Sequence, residues 1–205
     1  DGRKSDYARL SQYGEEGVLA LFTDSTNSER QGLTPSEASL RKSFDRIFRE
    51  TPGAVIVCCF SSSTYRMQLT IDMAVRYGRR LAVLGRSMCS NLAVAERLGL
   101  LASPEGLLIH ESACSQYPPE KLAVLVTGSQ GEPRAVLPRI ALGEFKHIQL
   151  QAGDAVILSS RIIPGNERLI NNMINHLAWQ EVRMYTESEP GIHVSGHGNS
   201  EDLKL

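Results

Sequence analysis

No apolar run in this chain approaches the roughly 20 residues that a bilayer-spanning helix needs. The opening Asp1-Gly2-Arg3-Lys4 leads straight into polar residues, without the apolar core of a secretory signal. Neither a membrane span nor a leader is expected. Cysteine is sparse: the four are Cys58, Cys59, Cys89 and Cys114, and no two form a Cys-x-x-Cys pair. Zinc-ribbon and thioredoxin-like readings therefore lose their support. Cys58 and Cys59 sit inside an apolar run, as small core residues do, so reduced thiols and a cytoplasmic location are expected. A basic excess is also missing, since 22 Lys and Arg face 23 Asp and Glu for a net charge of −1. That argues against a broad surface holding nucleic acid through many phosphates. It leaves room for a narrow groove that holds a few phosphates through hydroxyls and backbone amides. No Gly-x-Gly-x-x-Gly follows the first strand, which sets aside a Rossmann oxidoreductase, and no Walker loop is present.

What the sequence does have is ordinary globular composition, 41% hydrophobic and 22% charged over 205 residues. Such a chain buries a sizeable core without disulfide or metal staples. Short apolar runs alternate with amphipathic stretches, the pattern of a three-layer α/β/α fold with a mainly parallel sheet. Strands are predicted at Val18 to Phe22, Ala54 to Phe60, Leu81 to Leu84, Ala123 to Val126, Ala155 to Leu158 and Val182 to Tyr185. Helices are predicted at Ser36 to Arg49, Thr64 to Tyr77, Asn91 to Leu98 and Glu167 to Leu177. Thr34 as N-cap, Pro35 at the first position and Glu37 at the third form a capping box for the first of these.

Polar loops follow several strands: Asp24 to Asn27, Ser61 to Thr64, Gly85 to Ser87, Thr127 to Gly131, and Ser159 with Ser160. In an open α/β sheet the ligand sits outside the carboxyl ends of the strands, so five loops are expected to converge on one edge. The most informative segment is Gly191-Ile192-His193-Val194-Ser195-Gly196-His197-Gly198-Asn199. Gly196 and Gly198 argue against a metal-binding helix and for a loop whose imidazoles and hydroxyl meet an anion or deliver a proton. The bland alternative is two surface histidines in a glycine turn. Gly128 and Ser129 suit an anion-binding nest or a plain turn. Ser159 and Ser160 precede a helix N-terminus, where phosphate is favoured, with Asn166 as its N-cap. Ser61 reads as a cap or a phosphate contact, and Arg86 as a phosphate partner or a surface ion pair. Glu37 is explained by the capping box, or else orients a catalytic histidine. Asp24 is a metal ligand or a turn residue, and its Ser-Thr-Asn context favours the turn. His110, His147 and His176 are read as non-functional.

Taken together and in order, several of these segments resemble ribonuclease J, of the β-CASP group of metallo-β-lactamase-fold nucleases. They are Thr23 to Asn27, Thr34 to Glu37, Gly85 to Met88, Thr127 to Pro133, Ile163 to Glu167 and His193 to Gly198. The resemblance covers nearly the whole chain. It implies a Rossmann-like β-CASP domain inserted in a metallo-β-lactamase domain, with RNA passing between the two. It also implies endonucleolytic cleavage and 5′ to 3′ degradation of 5′-monophosphorylated RNA. Glu37 and His197 match the family's motif A acid and motif B histidine, and His193 and Ser195 would help hold the scissile phosphate.

The family's zinc-ligand motifs, beginning with His-x-His-x-Asp-His, are missing from this sequence. The resemblance therefore implies a piece of a longer protein, with zinc bound elsewhere in the full-length enzyme and none by this chain alone. Residues 1–36 are expected to be the edge of the preceding metallo-β-lactamase half, 37–192 the β-CASP domain, and 193–205 the motif B loop returning to that half. The full-length enzyme is a candidate homodimer. Tyr65 and Val126 stand where the family has a histidine and a cysteine. Two other readings stay open: a superfamily member acting on DNA or pre-mRNA ends, and a non-catalytic nucleotide- or phosphate-binding α/β module.

Overall fold

A computed structural model describes residues 6–204, so the opening Asp1-Gly2-Arg3-Lys4 lies outside the described residues. The chain divides into two compact units, Asp1–Ser39 with Val194–Leu205, and Leu40–His193. The first unit carries α1 (Tyr7–Glu16), and a 3-10 turn, Glu37–Leu40, leads into the second. There the order is α2 (Arg41–Glu50), β1 (Val55–Cys58), α3 (Thr64–Arg76), β2 (Arg80–Leu84), α4 (Arg86–Arg97), β3 (Leu108–Ile109), β4 (Leu122–Val126), α5 (Val136–Ala141), β5 (Ala155–Leu158), α6 (Glu167–Trp179) and β6 (Arg183–Tyr185).

The six strands form one parallel sheet in the order β3-β2-β4-β1-β5-β6. β1 is central, with Val55 opposite both Ala123 and Ala155. Its Val-Ile-Val-Cys run is buried throughout, as a strand covered on both faces must be. The helix between β1 and β2 crosses the sheet in one direction, and that between β4 and β5 in the other. Right-handed crossovers then place α3 and α5 on opposite faces. The packing agrees: Ile56, Cys58, Val124, Val126, Val156 and Leu158 share a cluster with Leu137 and Ile140 of α5 and Ile170, Met173 and Leu177 of α6. Their sequence neighbours alternate to the other side, where α3 packs on β2 and β4 and against α2.

The amino end of the sheet is closed by two buried charges. The Arg79 guanidinium donates to the carbonyls of Gly53 (2.6 Å), Thr51 (2.8 Å), Leu122 (3.2 Å) and Phe48 (3.3 Å). Asp154 accepts from the amides of Ala54 (2.7 Å) and Gln151 (2.9 Å). The carboxyl end is the open one. The chain leaves β1 toward β2 and leaves β5 toward β6, so these adjacent strands flank the topological switch point. A crevice is expected there, lined by residues 59–63 and 159–166. Among the described residues, no helix is long and apolar enough to cross a membrane.

Several predicted elements shift. Val18 to Phe22 is not a buried strand: Leu19 is 106% and Phe22 96% exposed, and the segment has no strand assignment. Its apolar character is real, but a strand needs a hydrogen-bonded neighbour. Consequently four of the five loops, not five, follow strands of the sheet. The sixth strand is β3, too short for periodicity to reveal. Helix α4 begins at Arg86 rather than Asn91, because Gly85, at φ 104°, makes the turn immediately after β2. Thr34 does not start a helix; its hydroxyl lies 2.6 Å from the Asp202 carboxylate.

Candidate functional site

In the first unit, a short loop is folded around His197. Asp24 turns the chain by accepting from the amide of Thr26 (2.9 Å) and its hydroxyl (2.7 Å) on Oδ1. This leaves Oδ2 for the His197 ring, 2.6 Å from Nδ1. The two Thr26 bonds, then the ring, lower the Asp24 carboxyl to a pKa of about 2. An ionised carboxylate can only accept, so Nδ1 carries the proton and Nε2 is the nitrogen left to meet a substrate oxygen. The backbone of His197 is held as well. Its amide donates to Ser195 Oγ (3.1 Å), and its carbonyl accepts from the Asn27 side-chain amide (3.2 Å). The same Asn27 amide donates to Ser195 Oγ at 3.0 Å. Ser195 thus accepts twice and keeps its own proton to donate.

In the second unit, the loops at the carboxyl end of the sheet meet around His193. Burial first, then the guanidinium of Arg66, lowers the His193 pKa to about 4; Arg161 acts in the same direction, against a backbone hydrogen bond at Ser159. The ring is neutral at physiological pH and its Nδ1 is buried without a hydrogen bond. Arg66 is itself buried, on the first turn of α3. A buried imidazole whose pKa is depressed by two guanidinium groups marks a region whose potential favours an anion.

The predicted serines build this region's walls. Ser159 Oγ donates to the Ile192 carbonyl (2.6 Å), tying β5 to the residue before His193. Ser160 Oγ lies 3.5 Å from the Ser129 carbonyl, and all three serines are buried. Buried Gln130 joins the two loops: its Nε2 donates to the Arg161 carbonyl (2.9 Å) while its Oε1 accepts from the amide of Ile163 (2.9 Å) and the side chain of Asn166 (3.3 Å). Asn166 does precede α6, but its side chain serves this network rather than a cap. At Gly128, φ is 109° and an added Cβ would lie 2.6 Å from Pro138, so packing against α5 explains that glycine. Gly131 has no such room either, facing the backbone of α6 at 2.7 Å.

The remaining candidates scatter. Ser61 is half-buried, and its carbonyl accepts from Asn91 (2.7 Å). Arg86 is exposed on the first turn of α4. Tyr65 hydrogen-bonds Arg41, whereas Val126 is fully buried in β4 and lies among core residues. Glu37 is half-buried at the head of its 3-10 turn. The carboxylate on the His197 ring is Asp24, which the Ser-Thr-Asn context had marked as a turn former; it is both. Arg66 was missed because a single arginine inside an amphipathic helix carries no signal. Among the described residues no three His, Cys, Asp or Glu side chains gather as metal ligands. The zinc implied by the resemblance does not fit a donor set here.

An all-parallel, doubly wound α/β domain with polar loops at the strands' carboxyl ends defines the class, a Rossmann-like ligand-handling fold. Within that class the match is specific: the family model for the ribonuclease J β-CASP domain covers residues 52–177, and the chain belongs to that family. It is 40% identical over its full length to ribonuclease J of Helicobacter pylori (strain ATCC 700392 / 26695), spanning 30% of that protein. It is also 40% identical over its full length to ribonuclease J of Synechocystis sp. (strain ATCC 27184 / PCC 6803 / Kazusa), spanning 32%. With ribonuclease J of Mycobacterium tuberculosis (strain ATCC 25618 / H37Rv) identity is 41% over 99% of the chain and 36% of the relative. The chain thus spans about a third of the length of these relatives.

Proposed function

We propose that this chain is the RNA-holding portion of a ribonuclease that cuts phosphodiester bonds both endonucleolytically and from a 5′-monophosphate end, in the cytoplasm. The observation that carries the reading is the 2.6 Å bond between Asp24 and His197, residues 173 positions apart, in a member of the ribonuclease J family. Asp24 remains ionised down to about pH 2 and holds Nδ1–H. His197 then offers Nε2 to the scissile phosphate, stabilising its charge or delivering a proton. Arg66, Arg161 and His193 suit the grip on a backbone or 5′-terminal phosphate, in a frame built by Ser129, Gln130, Ser159 and Ser160. Residues 1–36 and 193–205 belong with the metallo-β-lactamase part of the polypeptide. That part supplies the zinc ions and the attacking water from outside this chain. The whole enzyme works as a homodimer.

The test is His197→Ala in the nuclease that contains this chain. Turnover at saturating 5′-monophosphorylated RNA is expected to fall by about 100-fold or more, the scale of a lost general acid. Turnover equal to the parent enzyme would discard the role.

A further inference from the structure

One carboxylate beneath the His197 loop has more partners than a surface residue requires. Asp202 Oδ2 accepts from the amide of Thr34 (2.8 Å), the hydroxyl of Thr34 (2.6 Å) and the amide of Asn199 (2.9 Å). Those bonds, led by the Thr34 hydroxyl, hold its carboxyl below the usual range. Part of this is local. Asn199 begins a terminal turn in which its carbonyl accepts from the Leu203 amide (3.2 Å), and an acid three residues on that binds the Asn199 N–H is one half of a capping box. The bonds to Thr34, 168 positions away, serve no helix end.

Their effect falls on His197. Thr34 Oγ1 also lies 3.1 Å from the His197 carbonyl and 3.0 Å from the Asn199 amide, the residues on either side of Gly198. The single Thr34 proton goes to Asp202, the nearer acceptor, which leaves Thr34 Oγ1 to accept from the Asn199 amide, so Asp202 fixes the hydroxyl that holds the chain two residues past His197. Gly198 is confined too, since a Cβ there would lie 3.2 Å from Asp202 Cβ. With Asp24 on the ring, Ser195 on the amide and Asn27 on the carbonyl, Asp202 and Thr34 complete the frame. We propose that Asp202 is a positioning residue for His197, acting through Thr34 and Asn199 and touching no substrate.

The inference rests on the reading of His197 as the group that meets the phosphate. The experiment crosses Asp202→Ala and Asp202→Asn with His197→Ala in the full nuclease, measuring kcat and KM on 5′-monophosphorylated RNA. Displacing a reacting group by about 1 Å costs on the order of 100-fold. Asp202→Ala is expected to lower kcat by about 10- to 100-fold with KM within about 3-fold, and Asp202→Asn, which keeps one acceptor oxygen, by less. In the His197→Ala background either change should move kcat less than about 2-fold, since residues acting as a unit are not additive. Parent-like kcat in both Asp202 variants overturns the inference, as does an equal loss with and without His197. Should Asp202→Ala fail to fold, Asp202→Asn carries the same comparison. An inactive His197→Ala beside an active Asp202→Ala sinks this inference alone; an active His197→Ala sinks the underlying reading as well.

Discussion

Asp24 and His193 are both shifted downward, and for opposite reasons. Asp24 is stabilised as an anion by donors, chiefly Thr26. His193 is denied its proton by burial and by the guanidinium of Arg66. Because the folded pKa of His193, about 4, lies below the ordinary 6.5, the unfolded chain binds more protons between those values. Stability from this group is therefore complete above pH 6.5 and is lost as pH falls toward 4. A phosphate between Arg66 and Arg161 cancels part of their repulsion and should raise the His193 pKa. Histidine NMR titration of the chain is expected to show His193 neutral down to about pH 4 alone. With a 5′-nucleoside monophosphate its midpoint should move upward by about one unit or more. An unmoved midpoint at saturating ligand would argue that the anion sits elsewhere.

Among the elements, the loop after β4 and the loop after β5 are one structural piece because Gln130 bonds to both. Gln130→Ala would leave the part-buried Ile163 amide and Arg161 carbonyl without that partner, at about 1 kcal/mol for each bond. The expected result is a melting temperature lower by about 4–8 °C, with hydrogen exchange accelerated first at 127–131 and 161–166. Uniform acceleration over the whole sheet would show that Gln130 serves general stability instead. These loops also show what the sequence could reveal. Five of the six strands, Val55–Cys58 among them, were legible as β-branched or apolar runs, four of them with polar turn residues behind them. The polar residues at their ends were legible as a set. That the hydroxyls of Ser159 and Ser160 face neighbouring carbonyls was not, since only tertiary packing assigns their protons. Val18 to Phe22 shows the converse, an apolar pattern that lacks a pairing strand among the described residues.

At the scale of the molecule, near-neutral charge limits how the proposed RNA ligand can be held. Each phosphate neutralised on a single strand contributes about −0.7 to the slope of log affinity against log salt. If Arg66 and Arg161 are the cations chiefly engaged, the slope contributed by this chain should lie between about −1.4 and −2. A slope steeper than about −4 in a salt titration of the isolated chain would point to a broad basic surface that the composition does not provide.

The central position of β1 also sets a timetable. Its two neighbours are read from the message well after it, the farther one 100 residues later by register, from Val55 to Ala155. At ribosomal speeds that interval lasts about 5–20 s. Throughout it the nascent Val-Ile-Val-Cys segment lacks its final partner on at least one side, so the growing chain has every reason to be a client of holdase chaperones until β5 emerges.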